Sequence, residues 1–400
     1  MNRIAEILHK YDQLHILEPN ASEKQLELLA NIDLEKLLRD YKELSTSPLG
    51  IRRFALDSID VLPVESIQKI QCNKERYYNL GIDQLKCQKL AVVILSGGQG
   101  SRLGYNHAKG MYNVGTTRSV SIFELLINSL KRLVRAAGVP IPLYIMTSAD
   151  NHEEIQQFFV QHNYFGYSDQ YIEFFMQNEY PALDSDGKIY LTSDNELLML
   201  PSGNGDWYEV LVKSGILDKP QYRNVEWFNV VSVDNPLQNM ADPIFLGATL
   251  SAECDVGAKV IKKVSPQEKV GVICNVEGKP KIIEYYELPD AMMHEKTESG
   301  EYKYQYGVTL NYLFRKSALD SHKNLDLPFH YVSKSVHVNT DTNIMLKKAE
   351  TLILDMISHY NKVCVYEIIR EKEFAPIKNL SGNDSVETAR ALLIRNGINL

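Results

Sequence analysis

Cysteine is scarce in this sequence: five residues in 400, at Cys72, Cys87, Cys254, Cys274 and Cys364. They are odd in number, scattered and never spaced C-x-x-C. That argues against a disulfide framework or a cysteine zinc site and suits reduced, buried thiols in a cytoplasm. Positive charge is also short, since 43 Lys and Arg against 51 Asp and Glu leave a net charge of −8. A general nucleic-acid binder needs a basic face, so the balance argues against that class. A small phosphorylated ligand is still allowed, because a few local cations suffice to hold one. No apolar run approaches the roughly 20 residues of a membrane span. The opening stretch MNRIAEILHKYDQLH is amphipathic and lacks the apolar core of a signal peptide. The expectation is a cytoplasmic protein, a monomer, with neither membrane nor nucleic acid as partner.

What the sequence does contain is ordinary globular composition, 44% hydrophobic and 24% charged, with no internal repeat. Residues 1 to about 85 read as helical, with Ser22-Glu-Lys-Gln25 placed as a capping box. The texture changes at Leu90-Ala-Val-Val-Ile-Leu95, a continuous apolar run expected of a buried parallel strand. A helix opened by Ser121-Ile-Phe-Glu124 follows. After it come a strand Leu143 to Thr147, a helix Asn151 to Gln161, a strand Tyr171 to Met176, a helix Tyr208 to Ser214 and a strand Glu226 to Val233. Alternation at this spacing predicts a doubly wound α/β core. Beyond residue 255 the pattern turns β-like, with paired strands around Glu277-Gly278. A helix Leu346 to Tyr360, a strand Val363 to Ile368 and a polar tail complete the reading. Three segments are expected: a helical N-terminal region 1–85, a core 86–330 and a small C-terminal α+β region 331–400.

The loop after the first core strand reads Leu95-Ser-Gly-Gly-Gln-Gly-Ser-Arg-Leu-Gly104, then Ala108-Lys109-Gly110. A glycine-rich turn after a buried strand brings backbone N–H groups close to phosphate oxygens. Two familiar phosphate motifs fail here. The third glycine of G-x-G-x-x-G falls on Leu103, and Lys109 is followed by Gly110 rather than by Ser or Thr. A dinucleotide-binding dehydrogenase is therefore disfavoured. What remains is a glycine loop with two cations, Arg102 and Lys109, seven residues apart. That combination suits nucleotidyl transfer, in which the attacking oxygen is already an anion and needs no general base. The difficulty there is to hold several negative groups together, which a guanidinium fork and an ammonium can do.

The sequence is similar to the eukaryotic UDP-N-acetylhexosamine pyrophosphorylases, a branch of the sugar nucleotidyltransferases, from about residue 40 to 390. The resemblance rests on ordered segments: Gly97-Gly-Gln-Gly-Ser-Arg-Leu-Gly104, Lys109-Gly-Met-Tyr112, Met146-Thr-Ser148, Phe174-Phe-Met-Gln177, Pro201-Ser-Gly-Asn-Gly205, Val233-Asp-Asn235 with Ala241-Asp-Pro243, Val270-Gly-Val272, Glu284-Tyr285 and Arg370-Glu-Lys-Glu-Phe-Ala-Pro-Ile-Lys378. It implies a Rossmann-like nucleotidyltransferase core, UTP and N-acetylglucosamine 1-phosphate as substrates, and Mg²⁺. Carried position by position, it implies nucleotide contacts at Gly97, Gly98, Gln177, Gly203 and Asn204, with Gln177 reading uracil. Sugar contacts fall on Gly271, Glu284 and Asn311, and a metal- and phosphate-side carboxylate on Asp234. The charge-stabilising cations are Arg102, Lys109 and Lys348, with Lys347 and Lys378 as weaker alternatives to the last.

The chain departs from that pattern in places. Ala108 stands where proline is usual, which predicts a less rigid loop. Asp206-Trp207 replaces smaller residues, which predicts an altered pocket shape. Met176 replaces a common glutamine, and Thr309-Leu-Asn-Tyr312 is a looser match. Rival readings are the same chemistry on N-acetylgalactosamine 1-phosphate or glucose 1-phosphate, and a non-catalytic UDP-sugar sensor.

Overall fold

Six apolar residues in a row leave no polar face, and Leu90–Leu95 is buried along its whole length. In the computed structural model, which describes residues 2–17, 21–46, 59–322, 325–339 and 342–400, this strand sits inside a large mixed sheet. Parallel neighbours flank it on both sides. Leu143–Thr147 and then Ile172–Met176 lie on one side, and Trp227–Ser232 on the other. The parallel run is broken by Tyr306–Arg315, which pairs antiparallel with Trp227–Ser232 and with Val256–Lys262. Val363–Glu367 then lies parallel to Val256–Lys262. The expected α/β class is borne out.

Local signals account for much of this. Ser121 caps the helix Ile122–Ala137 by accepting from Glu124 N at 3.1 Å, and Gly138 ends it at φ +75°. Val272–Val276 and Lys279–Ile283 form the expected hairpin, and its turn residues Glu277 and Gly278 both have positive φ. Three expectations need correction. The first is the helix placed at Leu346 to Tyr360. Residues Thr342–Glu350 form a strand antiparallel to His330–Asn339, and only Ile353–Met356 and the turn after it are helical. Leu346-Lys-Lys-Ala-Glu350 has good helix formers, but pairing with the alternating partner strand and with Leu183 overrides propensity. The second is the polar tail, which contains the helix Val386–Arg395 behind a Ser385–Thr388 capping box. The third is the all-helical start, where two-residue strands at Ile59–Asp60 and Val64–Glu65 follow three helices.

The chain divides into two compact units, each assembled from three stretches. One holds Met1–Arg53, Gln177–Asp206 and Asp326–Asp355, and the other holds Phe54–Met176, Trp207–Leu325 and Met356–Leu400. The second unit contains the large sheet. Its core includes Val92, Ile94, Phe123, Leu126, Ile145, Val231 and Leu393. The first unit packs Leu8, Leu29, Leu34, Leu37, Leu183, Ile189 and Ala349 into its own core. Among the described residues no helix is long and apolar enough to cross a membrane. All five cysteines are free thiols. Cys254, Cys274 and Cys364 are buried as expected, but Cys72 and Cys87 are exposed.

Candidate active site

In open parallel sheets, ligands meet the carboxyl ends of the strands. Leu90–Leu95 delivers the glycine loop there, and the loop is held at both ends. The buried Asn151 side chain donates to Ser96 O at 3.1 Å and accepts from Ser148 N at 2.9 Å. This fixes the loop's start to the end of the adjacent strand. Across the loop, Gly100 N donates to His107 O at 2.9 Å and Lys109 N to Gly98 O at 3.2 Å. The N–H groups of Gly97, Gly98 and Gln99 make no hydrogen bond among the described residues. A Cβ built on Gly98 would meet nothing within 4 Å, so the open side of the loop has room for a ligand. Adjacent unpaired amides of this kind form an anion-binding concavity.

Both loop cations stand beside these amides in sequence, but in different states. Lys109 is 12% exposed and pairs with Asp234 at 2.7 Å; Asp234 follows the strand Trp227–Ser232 and is 34% exposed. Arg102 is exposed and makes no ion pair among the described residues. The loosening expected at Ala108 has a compensation that sequence reasoning missed. Ala108 sits at φ −54°, within proline's range, and its N–H, which proline would lack, donates to Glu154 Oε2 at 3.1 Å. The other oxygen of Glu154 contacts His107. Nothing in the sequence marks Glu154 apart from its place in the first turn of the helix His152–Gln161.

On the same unit, Gly271 and Glu284 come together. A Cβ on Gly271 would lie 3.6 Å from Glu284 Oε1, and Gly271 O accepts from Val308 N at 2.9 Å. Burial pushes the phenol of the nearby Tyr312 upward, and the charge of Glu284 adds to the shift. Asn311 is in the interior, 0% exposed. Its Oδ1 accepts from Asn229 at 2.8 Å and its Nδ2 donates to Asn239 O at 3.3 Å. Its amide is therefore engaged with the Asn229 side chain and the Asn239 backbone. Lys378, farther along, pairs with Asp384 at 3.2 Å.

The other unit carries Gln177, Gly203, Asn204 and Lys348. Gln177 is buried. Gly203 has φ +90°, and a Cβ there would stand 2.5 Å from Thr351 O, so the turn tolerates only glycine. The N–H groups of Asn204 and Gly205 both donate to Thr351 O, and Asn204 Oδ1 accepts from Ile353 N at 2.9 Å. Asp206 bonds Asn178 at 2.8 Å and Ser202 at 2.9 Å, bracing this turn against the residue after Gln177. Lys348 lies on the strand and contacts Glu350, two residues on and on the same face. Lys347 bonds Ser333 Oγ at 2.9 Å. The effect expected of Trp207 needs correction: its ring is wholly buried against Tyr208, Phe228 and Phe314, so it fills core instead of shaping a pocket. Gly203→Ala is expected to destabilise the protein by about 1–3 kcal/mol, from left-handed strain and the Thr351 clash, read as a lower urea midpoint.

The loop defines an α/β protein with an anion-binding concavity at the carboxyl end of a parallel strand. The family model for UTP–glucose-1-phosphate uridylyltransferase matches residues 51–396. UDP-N-acetylglucosamine diphosphorylase 2 of Arabidopsis thaliana is 32% identical over 400 aligned residues, covering 95% of this chain and 79% of the relative. The UDP-N-acetylglucosamine pyrophosphorylase of Saccharomyces cerevisiae is 29% identical, covering 98% and 87%. The crystal structure of the uridine diphosphate N-acetylglucosamine pyrophosphorylase from Trypanosoma brucei superposes with a TM-score of 0.78 at 24% identity, covering 98% of this chain and 84% of that one. The chain belongs to the UTP–glucose-1-phosphate uridylyltransferase family. The resemblance read from its motifs is borne out.

Proposed function

We propose that this enzyme, a nucleotidyltransferase, transfers the uridylyl group of UTP to N-acetylglucosamine 1-phosphate and releases pyrophosphate. The observation that carries the reading is the set of three amides at Gly97, Gly98 and Gln99, unpaired among the described residues, in the loop whose sequence also supplies Arg102 and Lys109. The relatives' names support an acetamido sugar over glucose. A phosphate oxygen of the sugar phosphate attacks the α-phosphorus of UTP in line. The new O–P bond forms as the bond from the α-phosphorus to the bridging oxygen breaks, and the electron pair leaves with pyrophosphate. The nucleophile is already ionised, so catalysis is positioning plus charge stabilisation. The loop amides and Arg102 hold phosphate oxygens, and Lys109 neutralises charge as the leaving group departs. Gly271 and Glu284 carry the sugar side, with Asn311 shaping it from beneath. The roles of Gln177, Gly203 and Asn204 toward the nucleotide, and of Lys348 toward phosphate, rest on the motif match.

Magnesium fits this donor set in a limited way. No group of three or more His, Cys, Asp or Glu able to hold a metal occurs among the described residues. Asp234 offers one partly exposed carboxylate, which is enough for an ion that takes one or two carboxylates and otherwise phosphate and water oxygens. When bound, Mg²⁺ would supply charge neutralisation at the phosphates. We place the enzyme in the cytoplasm, as a monomer. The free thiols and the lack of a membrane-spanning helix among the described residues support the first part, and gel filtration tests the second.

Pyrophosphate release from UTP and Mg²⁺ with N-acetylglucosamine, N-acetylgalactosamine and glucose 1-phosphates tests the proposal. The highest kcat/KM is expected with the first, and a preference for glucose 1-phosphate would overturn the assignment. Glu154→Ala should lower kcat/KM about 10-fold while moving Tm by only about 2–4 °C, because it frees the Lys109 arm of the loop without opening the core. Unchanged kinetics would show that the arm is held by its own backbone bonds.

A further inference from the structure

Lys259 sits in the strand Val256–Lys262 with its side chain 0% exposed. One ammonium bonds three partners: Asp242 at 2.8 Å, Glu373 at 2.6 Å and the carbonyl of Asn239 at 3.2 Å. Phe245 and Tyr366 flank it, with ring centroids 5.4 and 5.8 Å away. Asp242 and Asn239 belong to the segment that follows Asp234, and Glu373 belongs to the segment that runs on to Lys378. Those two segments are joined again nearer Asp234. Asn235 donates to Glu373 O at 2.7 Å and accepts from Ala375 N at 2.9 Å, and Asp234 O accepts from Ile377 N at 2.9 Å. The backbone at Ala241 is held at φ +50°, with its N–H donating to Asn229 Oδ1 at 2.8 Å.

We propose that Lys259 is a positioning residue for the uridylyl transfer. It clamps the 234–242 and 370–378 segments together so that the carboxylate of Asp234 stays set against Lys109. The inference rests on the proposed role of Asp234. A buried ion trio adds little stability over apolar residues of the same volume, because desolvation offsets the attraction. What it provides is geometry: one short, fully enclosed cation fixes three points on two segments. Burial works against the ammonium charge, but the two carboxylates outweigh it and hold Lys259 protonated. Asn311 shares the Asn239 carbonyl with Lys259, which ties the amide network under the sugar side to the same clamp.

The test is a double-mutant comparison on the full-length enzyme, reading kcat for pyrophosphate release, KM for UTP and Tm. Lys259→Met removes the cation at similar length. Glu373→Gln keeps shape and leaves the Lys259–Asp242 pair, so it carries the comparison if Lys259→Met does not fold. Asp234→Asn alone should lower kcat about 100-fold, and Lys259→Met about 10-fold or more. Combined with Asp234→Asn, Lys259→Met or Glu373→Gln should cost less than about 3-fold further, because the residue they position is already disabled. A double variant showing the full product of the single losses would overturn the proposal. So would a Lys259→Met enzyme, or where it does not fold a Glu373→Gln enzyme, that melts earlier but turns over normally. Normal turnover in Asp234→Asn would overturn both this inference and the proposed role of Asp234. An impaired Asp234→Asn beside additive doubles would overturn the inference alone.

Discussion

Lys109→Ala is expected to lower kcat/KM by about 10²- to 10³-fold while leaving the protein folded. The loss in rate follows from removing a cation aimed at charge that develops in the transition state, a contribution of about 3–4 kcal/mol in comparable sites. The small effect on stability follows from the partner. Asp234 is 34% exposed, so losing Lys109 returns a carboxylate to water instead of stranding it in the core. The cost should be about 1 kcal/mol or less, or about 1 °C in Tm for a chain of this length. The loss should fall on kcat more than on the KM for the sugar phosphate, because the charge that Lys109 meets grows as pyrophosphate leaves. Steady-state kinetics with a melting curve on the same preparation checks both halves. A variant with normal kcat would remove Lys109 from the chemistry.

Arg102→Ala should be comparable in rate, about 10²-fold or more in kcat/KM, with no measurable change in Tm. The side chain is exposed and without an ion pair among the described residues, so nothing structural depends on it. Arg102→Lys should recover only part of the activity, since an ammonium cannot reproduce the two-pronged grip of a guanidinium on phosphate oxygens. Near-normal turnover in Arg102→Ala would exclude it from the mechanism. A Tm drop of several degrees would mean that its exposed guanidinium has an unrecognised structural partner.

The parts of this fold that were readable in the sequence are those decided locally. Leu90–Leu95 and Leu143–Thr147 match the expected strands residue for residue, because an unbroken apolar run between turn signals has few other places to go. The Ser22 capping box and the Glu277-Gly278 turn also act within three or four residues and hold, while the capping box expected at Ser121 forms only its N-cap half, since the Glu124 carboxylate pairs with Arg118. Elements decided by distant partners were not readable. Lys348 lies on a strand because residues 330–339 and Leu183 pair with its segment, and nothing nearby in sequence announces either. The two compact units are each built from three separated stretches, whereas a reading along the chain can only cut it into consecutive pieces. Lys259 looks like a stray charge in an apolar strand until Asp242 and Glu373, 17 and 114 residues away, are brought to it.

The candidate site follows the same division. The glycine loop, Arg102 and Lys109 are legible because their chemistry is written in nearby residues after a strand, whereas the role of Asp234 required the resemblance. The close approach of Gly271 to Glu284 required a resemblance, since a glycine and an outward carboxylate say little alone. Glu154, Asn151 and Lys259 were missed because each acts through another residue. A side chain that only braces a loop has no signature of its own.

The most direct test is a crystal of this protein grown with UTP or UDP-N-acetylglucosamine. Phosphate oxygens should lie within hydrogen-bond distance of the Gly97, Gly98 and Gln99 amides, with the Arg102 guanidinium and the Lys109 ammonium on the same phosphates. Nucleotide phosphates bound elsewhere, with those amides still facing solvent, would contradict the account.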